Sequence, residues 1–372
     1  MHSILLIPII LRFIRMKKEQ EQVYLVYLMV WKEIADNPWI SITITSFVSF
    51  AAFYFLAGAV FNPAKCLGPP YIYATTHHEV ANLLKYTRDG CLISQEVLKG
   101  GPIEDSSHLS ELRSVAVGKY QGQDALYLAD ATSADSYLLL YGACDANGQR
   151  EYIETIISTD LNPGADHTYG VDFDNDGNIY ASFQHTDNVL RFKKDTLEPM
   201  ELPMGLQMQQ KEMRYYPGTF YQFGKVGVHP ITEQGIRSIA VVGQDLWIAN
   251  EDINGIAIVP LQTGLVTNIV VIRSPIGLFY DKASNLVFVG SKQKHWSGAV
   301  YAIDPLYLKV VRTYTTNRMN HPSGIVAHDN VLYVAEQILG VIFAFNVQTG
   351  AFLGKIVKNT PGQIEQLALS DC

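Results

Sequence analysis

Three side chains at matching places in the 372-residue chain could hold a cation. Asp130, Asn250 and Glu336 each follow a short apolar phrase: Leu126-Tyr127-Leu128-Ala129, Leu246-Trp247-Ile248-Ala249 and Leu332-Tyr333-Val334-Ala335. Carboxylate and amide oxygens in that pattern suit a hard ion such as calcium. The histidines are placed with similar regularity. His77, His78, His185 and His295 come shortly after copies of the phrase, and His108, His167, His229 and His321 come shortly before the next unit begins. Imidazoles gathered in this way can bind zinc, move protons near neutral pH or hydrogen-bond a polar ligand. A third candidate is aromatic: Tyr215-Tyr216-Pro217-Gly218-Thr219-Phe220 opens a run suited to a binding ridge, with Tyr215, Tyr216 and Phe220 as its contacts.

Familiar catalytic motifs are absent. There is no Gly-x-Ser-x-Gly elbow, phosphate loop or dinucleotide fingerprint. Asp172 to Asn178 opens like a calcium loop, but its twelfth position is Phe183 where a bidentate Glu is needed, so it reads as strand, turn and strand.

The elements that must position these residues are strands. The phrase occurs six times between Tyr71 and Ala335, the other copies being Ile72-Tyr73-Ala74-Thr75, Ile179-Tyr180-Ala181-Ser182 and Val287-Phe288-Val289-Gly290. Each copy is followed by a further apolar run, and a fourth usually precedes the next unit. Short strands with turns, repeating every 40 to 50 residues or so, indicate four-stranded propeller blades. The expected fold is all-β, a six-bladed β-propeller over 64–372 with an inter-blade insertion at 205–235. Blade one lacks an opening strand, while Ile364 to Ser370 repeats one, so the C-terminal strand should close blade one and remove the open edge. In that arrangement four loop histidines come from second-to-third strand loops and four from inter-blade loops, all on one rim.

Ahead of the propeller, Ile40 to Phe61 carries no charge over 22 residues, long enough for a transmembrane helix. Arg12, Arg15, Lys17, Lys18 and Lys32 precede it, which places segment 1–39 in the cytoplasm and the propeller in an extracellular, periplasmic or lumenal space. There disulfides can form. Cys66, Cys91, Cys144 and Cys372 all fall on one propeller face, and their places in the repeat favour Cys66 with Cys372 and Cys91 with Cys144. Beyond the anchor the chain has 23 Lys and Arg against 32 Asp and Glu, with no basic aromatic patch, which argues against a nucleic-acid partner.

Gly170-Val171-Asp172-Phe173-Asp174-Asn175-Asp176-Gly177-Asn178-Ile179-Tyr180-Ala181 and Pro322-Ser323-Gly324-Ile325-Val326-Ala327 resemble NHL repeats. A membrane span followed by six blades also resembles the strictosidine-synthase-like, gluconolactonase-like and paraoxonase-like propellers. That resemblance implies a channel-bound calcium or zinc in the members that are enzymes. Two of their signatures are missing. Tyr169 and Ser323 stand where the amidating lyases have zinc histidines, and the Arg-Pro-Asn-Gly turn of the gluconolactonase-like enzymes does not occur. The resemblance therefore implies a fold without an enzyme identity. The expected function is a membrane-tethered propeller that binds a protein, peptide or glycan through its loop face. The alternative is a calcium- or zinc-dependent hydrolase or lactonase with Asp130, Asn250 or Glu336 as ligands and a rim histidine as base.

Overall fold

The computed structural model describes residues 66–77, 82–104, 111–131, 136–209, 215–223, 235–293 and 297–372. The expected cytoplasmic segment and membrane span lie outside these residues, as do His78, His108, His229 and His295. Among the described residues no helix is long and apolar enough to cross a membrane.

All six apolar phrases form second strands. They read as unbroken apolar runs because neighbouring blades cover both of their faces: Leu332, Tyr333, Val334 and Ala335 are all buried. Blade one contributes β1 (Tyr71–His77), β2 (Asn82–Tyr86) and β3 (Leu92–Ser94). The chain then adds β4 (Leu98–Lys99) in parallel to the outer edge of blade two, which comprises β5 (Leu112–Tyr120), β6 (Gln123–Ala131), β7 (Ser136–Cys144) and β8 (Arg150–Ser158). Blade three is β9 (Thr168–Phe173), β10 (Ile179–Phe183), β11 (Asn188–Phe192) and β12 (Thr219–Gln222), with a short helix α1 (Met204–Gln209) before its last strand. Blade four runs from β13 (Ile236–Val242) through β14 (Asp245–Asn250) and β15 (Gly255–Pro260) to β16 (Asn268–Val271). Blade five holds β17 (Pro275–Asp281), β18 (Leu286–Ser291), β19 (Ala299–Asp304) and β20 (Lys309–Tyr314). Blade six holds β21 (Pro322–His328), β22 (Val331–Glu336), β23 (Val341–Asn346) and β24 (Phe352–Val357). The last strand, β25 (Gln363–Ser370), pairs antiparallel with β1 from Tyr71 opposite Ser370 to His77 opposite Gln363. Ring closure by the C-terminal strand is thus as the repeat pattern implies.

Two expectations change. The stretch 205–235 is not all insertion, because Thr219–Gln222 supplies the outer strand of blade three. The cysteines share a face, but the disulfides are Cys66–Cys91 and Cys144–Cys372, with Cα–Cα separations of 6.0 and 6.1 Å, in place of Cys66–Cys372 and Cys91–Cys144. Local hydrogen bonds account for the exchange. Leu67 N–H donates to Asp89 Oδ1 (3.2 Å), drawing the entry segment outward to the β2–β3 hairpin that carries Cys91. At the other end of the blade, Arg150 of blade two donates to Ser370 Oγ (3.0 Å) and so holds the tail of β25 beside the hairpin that carries Cys144.

The calcium-like segment is a turn, as its sequence indicates. Asp174 Oδ1 accepts the N–H groups of Asp176 (3.0 Å) and Asn178 (2.8 Å), and Gly177 has a φ of 85° that suits glycine.

Candidate functional site

Each inner strand breaks register with its second strand near the histidine-bearing end of the channel. The residues passed over include Arg113, Tyr169, Arg237, Ile276, Ser323 and Glu365, one in each blade. A β-bulge re-aims a side chain and bends its strand, and four of these six residues meet one another across the channel. The next position is small in five blades: Ser114, Gly170, Ser238, Gly277 and Gly324. A Cβ on Gly277 would sit 2.0 Å from the carbonyl oxygen of Ser323 in the next blade, so the inner strands approach too closely there for a larger residue.

Glu365 is the centre of the network and is 1% exposed. Its Oε1 accepts the Tyr169 hydroxyl (2.5 Å), and its Oε2 lies 2.8 Å from His77 Nε2 and accepts from Arg113 Nη1 (3.2 Å). The Gln337 side-chain amide also donates to Oε2. Burial alone would raise this carboxyl. The His77 hydrogen bond and the charges of Arg113 and His77 more than offset it and hold the group well below the usual carboxylate range. Arg113 makes a second contact through Nη2 to Glu111 Oε2 (3.1 Å).

A second cluster adjoins the first. Arg237 Nε donates to Glu251 Oε2 (2.7 Å) and its Nη1 to Gln184 Oε1 (2.6 Å), while Lys292 Nζ is 3.0 Å from Glu251 Oε1. The Tyr169 ring joins the two, with the Arg113 guanidinium 5.8 Å and the Arg237 guanidinium 5.1 Å from its centroid.

The four described loop histidines border this network. His167 stacks on His185 with centroids 4.3 Å apart, and His185 Nδ1 is 3.5 Å from Asp166 Oδ2. Burial, followed by the charges of Arg113, His185 and Arg237, pushes His167 down to about 3. Burial also pushes His321 down to about 4, with Lys292 and Arg237 adding to it and Glu365 opposing. Both are neutral at physiological pH.

Asp130, Asn250 and Glu336 are not brought together. Each is buried at the end of its own second strand, where it binds backbone. Asp130 Oδ1 accepts Glu111 N–H (3.0 Å), and Asn250 Oδ1 accepts Asp252 N–H (2.9 Å) and Ile253 N–H (3.3 Å). Glu336 accepts His321 N–H (2.8 Å), Asn320 N–H (3.2 Å) and Leu339 N–H (2.7 Å). Among the described residues, no group of three or more His, Cys, Asp or Glu side chains could hold a metal ion. The network draws instead on the following residue of each blade: His77, Gln184, Glu251, Lys292 and Gln337, with Ala131 in blade two. The aromatic ridge divides in the same manner. Tyr215 and Tyr216 are half-buried, Tyr216 lying against Gly164, whereas Phe220 is core and meets Tyr180 edge to face at 5.1 Å.

The class defined by this fold and site is a six-bladed β-propeller whose channel is crossed at the histidine end by a charge-paired network. No family model and no curated protein matches the chain. Solved structures do. A protein of unknown function from Bacteroides caccae aligns with a TM-score of 0.55 at 11% identity, over 81% of this chain and 99% of its own. A chain of the nidogen/laminin complex aligns with a TM-score of 0.53 at 11% identity, over 81% and 98%. At such identities the likeness shows the fold alone.

Proposed function

We propose that the chain is a membrane-tethered, extracytoplasmic propeller that binds a protein, peptide or glycan on its histidine-bearing loop face. The observation that carries this reading is the engagement of Glu365 on both oxygens. Both of its oxygens are engaged by Tyr169, His77, Arg113 and Gln337, which leaves this buried carboxylate poorly placed to take a cation or a substrate proton. The surface around it is chemically mixed, with His185 and Ile338 exposed and Asp166 and Lys292 half-buried on the rim, as a docking face requires. The fold likeness to a chain of the nidogen/laminin complex fits a protein ligand. The tether rests on the uncharged run 40–61 and the cations before it, and two disulfides suit an oxidising compartment.

A photoreactive benzophenone side chain at Ile338, in the full-length protein in its own membranes, tests this. Discrete cross-linked adducts are expected from Ile338 and none from Thr349, in the β23–β24 hairpin on the opposite face. The reading fails if Ile338 gives no adduct, or if the purified protein hydrolyses esters or lactones with a metal that Glu365→Gln removes.

A further inference from the structure

The opposite end of the channel has no part in that reading. It holds a cavity of about 330 Å³ walled by the inner strands of all six blades. Its deepest ring is aliphatic and buried: Val115, Val171, Ile239, Leu278, Ile325 and Leu367. Side chains two residues apart on a strand share a face, so a second apolar ring follows, with Val117, Phe173, Tyr280 and Leu369 only half-buried. Five of the six blades thus contribute apolar residues twice over to a well below the charge-paired network, and blade six contributes Ile325 and Val326.

Besides Gln366, whose Oε1 accepts Leu367 N–H (3.3 Å), a single carboxyl interrupts this wall. Asp172 lines the cavity, its Oδ1 accepting Phe173 N–H (2.9 Å) and its Oδ2 accepting Val241 N–H (2.7 Å) from the next blade. Each carboxylate oxygen can accept twice, so one acceptor position on each remains. Burial raises this carboxyl to about 6, against the two backbone bonds and the charge of Lys282. Lys282 and Asn175 are exposed at the mouth. At every other blade the corresponding position is apolar: Ala116, Ala240, Phe279, Val326 and Ala368.

We propose that this well is a second binding site, for a compact apolar molecule carrying one hydrogen-bond donor, with its body against the aliphatic rings and its donor on Asp172. The volume lies at the small end of the range for ligand pockets. A ligand without a donor would leave the Asp172 acceptors dry and unpaired, and an anion would meet that carboxylate directly; both are disfavoured.

Calorimetric titration of the full-length protein with 2-phenylethanol, its methyl ether and phenylacetate is the test. The alcohol should bind at one site, the ether about tenfold more weakly for want of the donor, and phenylacetate not at all. Asn175→Trp, at the exposed mouth, should weaken the alcohol by at least the same factor without moving the unfolding midpoint. Asp172→Leu should make alcohol and ether equal; if it does not fold, the mouth variant and the three-ligand comparison decide alone. Equal affinity of alcohol and ether for the unaltered protein, alcohol binding that Asn175→Trp leaves intact, or no binding of the alcohol would each overturn the proposal. None of these outcomes bears on cross-linking from Ile338, so the two readings stand or fall separately.

Discussion

Glu365→Gln should be among the most damaging conservative changes in the chain. The substitution keeps shape and one acceptor but removes the negative charge that Arg113 and His77 face at 3.2 and 2.8 Å. Arg113 has a side chain only 13% exposed and would retain Glu111 alone. Removing one partner of a buried pair costs about 3–5 kcal/mol. The amide can still accept from Tyr169, so the lower end applies, about 3 kcal/mol, or on the order of 5 °C in midpoint for a domain of this size. Tyr169→Phe removes one hydroxyl donor to the same carboxylate and should cost about 1.5 kcal/mol. The folded carboxyl lies below its unfolded value, so its contribution is fully present above about pH 4.3 and is lost as pH falls from there toward the folded value. Urea unfolding of the unaltered protein and Glu365→Gln at pH 7, 5 and 4 should therefore show a constant gap that begins to close only at the lowest pH. A gap under about 1 kcal/mol at pH 7, or one that widens on acidification, would refute the buried-pair account.

Non-reducing mass mapping should find Cys66 joined to Cys91 and Cys144 joined to Cys372. With its cysteines separated by 228 positions in sequence against 25, loss of the second bond through Cys144→Ser should cost about 5 kcal/mol and loss of the first through Cys66→Ser about 3.5 in the chain-entropy picture, so equal losses would count against it. His167 and His321 have folded pKa values of about 3 and 4, below the unfolded value of about 6.5, so the unfolded chain binds more protons and stability falls as pH drops through that window, by up to about 1.4 kcal/mol per pH unit for each. His167→Asn, which tolerates the φ of 62° there, should flatten the acid limb by one such share; an unchanged slope between pH 6 and 4 would show that His167 is not buried neutral.

The blades were legible and the network was not, for reasons that lie in particular residues. Leu126 to Ala129 and its five counterparts announce themselves because a strand covered on both faces must be apolar at every position. Ile364 to Ser370 announces closure because blade one has no inner strand of its own. Phe220 reads as a loop aromatic because a long connection, 193–218, separates it from the blade whose edge it completes. The cysteines illustrate a different limit, since the repeat assigns each to a face but says nothing about lateral position. That position is set by single contacts such as Arg150 with Ser370. The channel network is obscured by the bulges. Alternation counted along the second strands stops at Asp130, Asn250 and Glu336, whereas the residues that reach the network come one place later. On the inner strands the bulge similarly takes Arg113, Tyr169, Arg237 and Glu365 out of register with their neighbours. A trace was nevertheless present. Aligning the blades puts His77, Gln184, Glu251, Lys292 and Gln337 in one column and Arg113, Tyr169, Arg237 and Glu365 in another, in or just after strands that are otherwise core. Opposite charges divided between two such columns can be buried only if they meet, and in a ring of blades the axis is where they can do so.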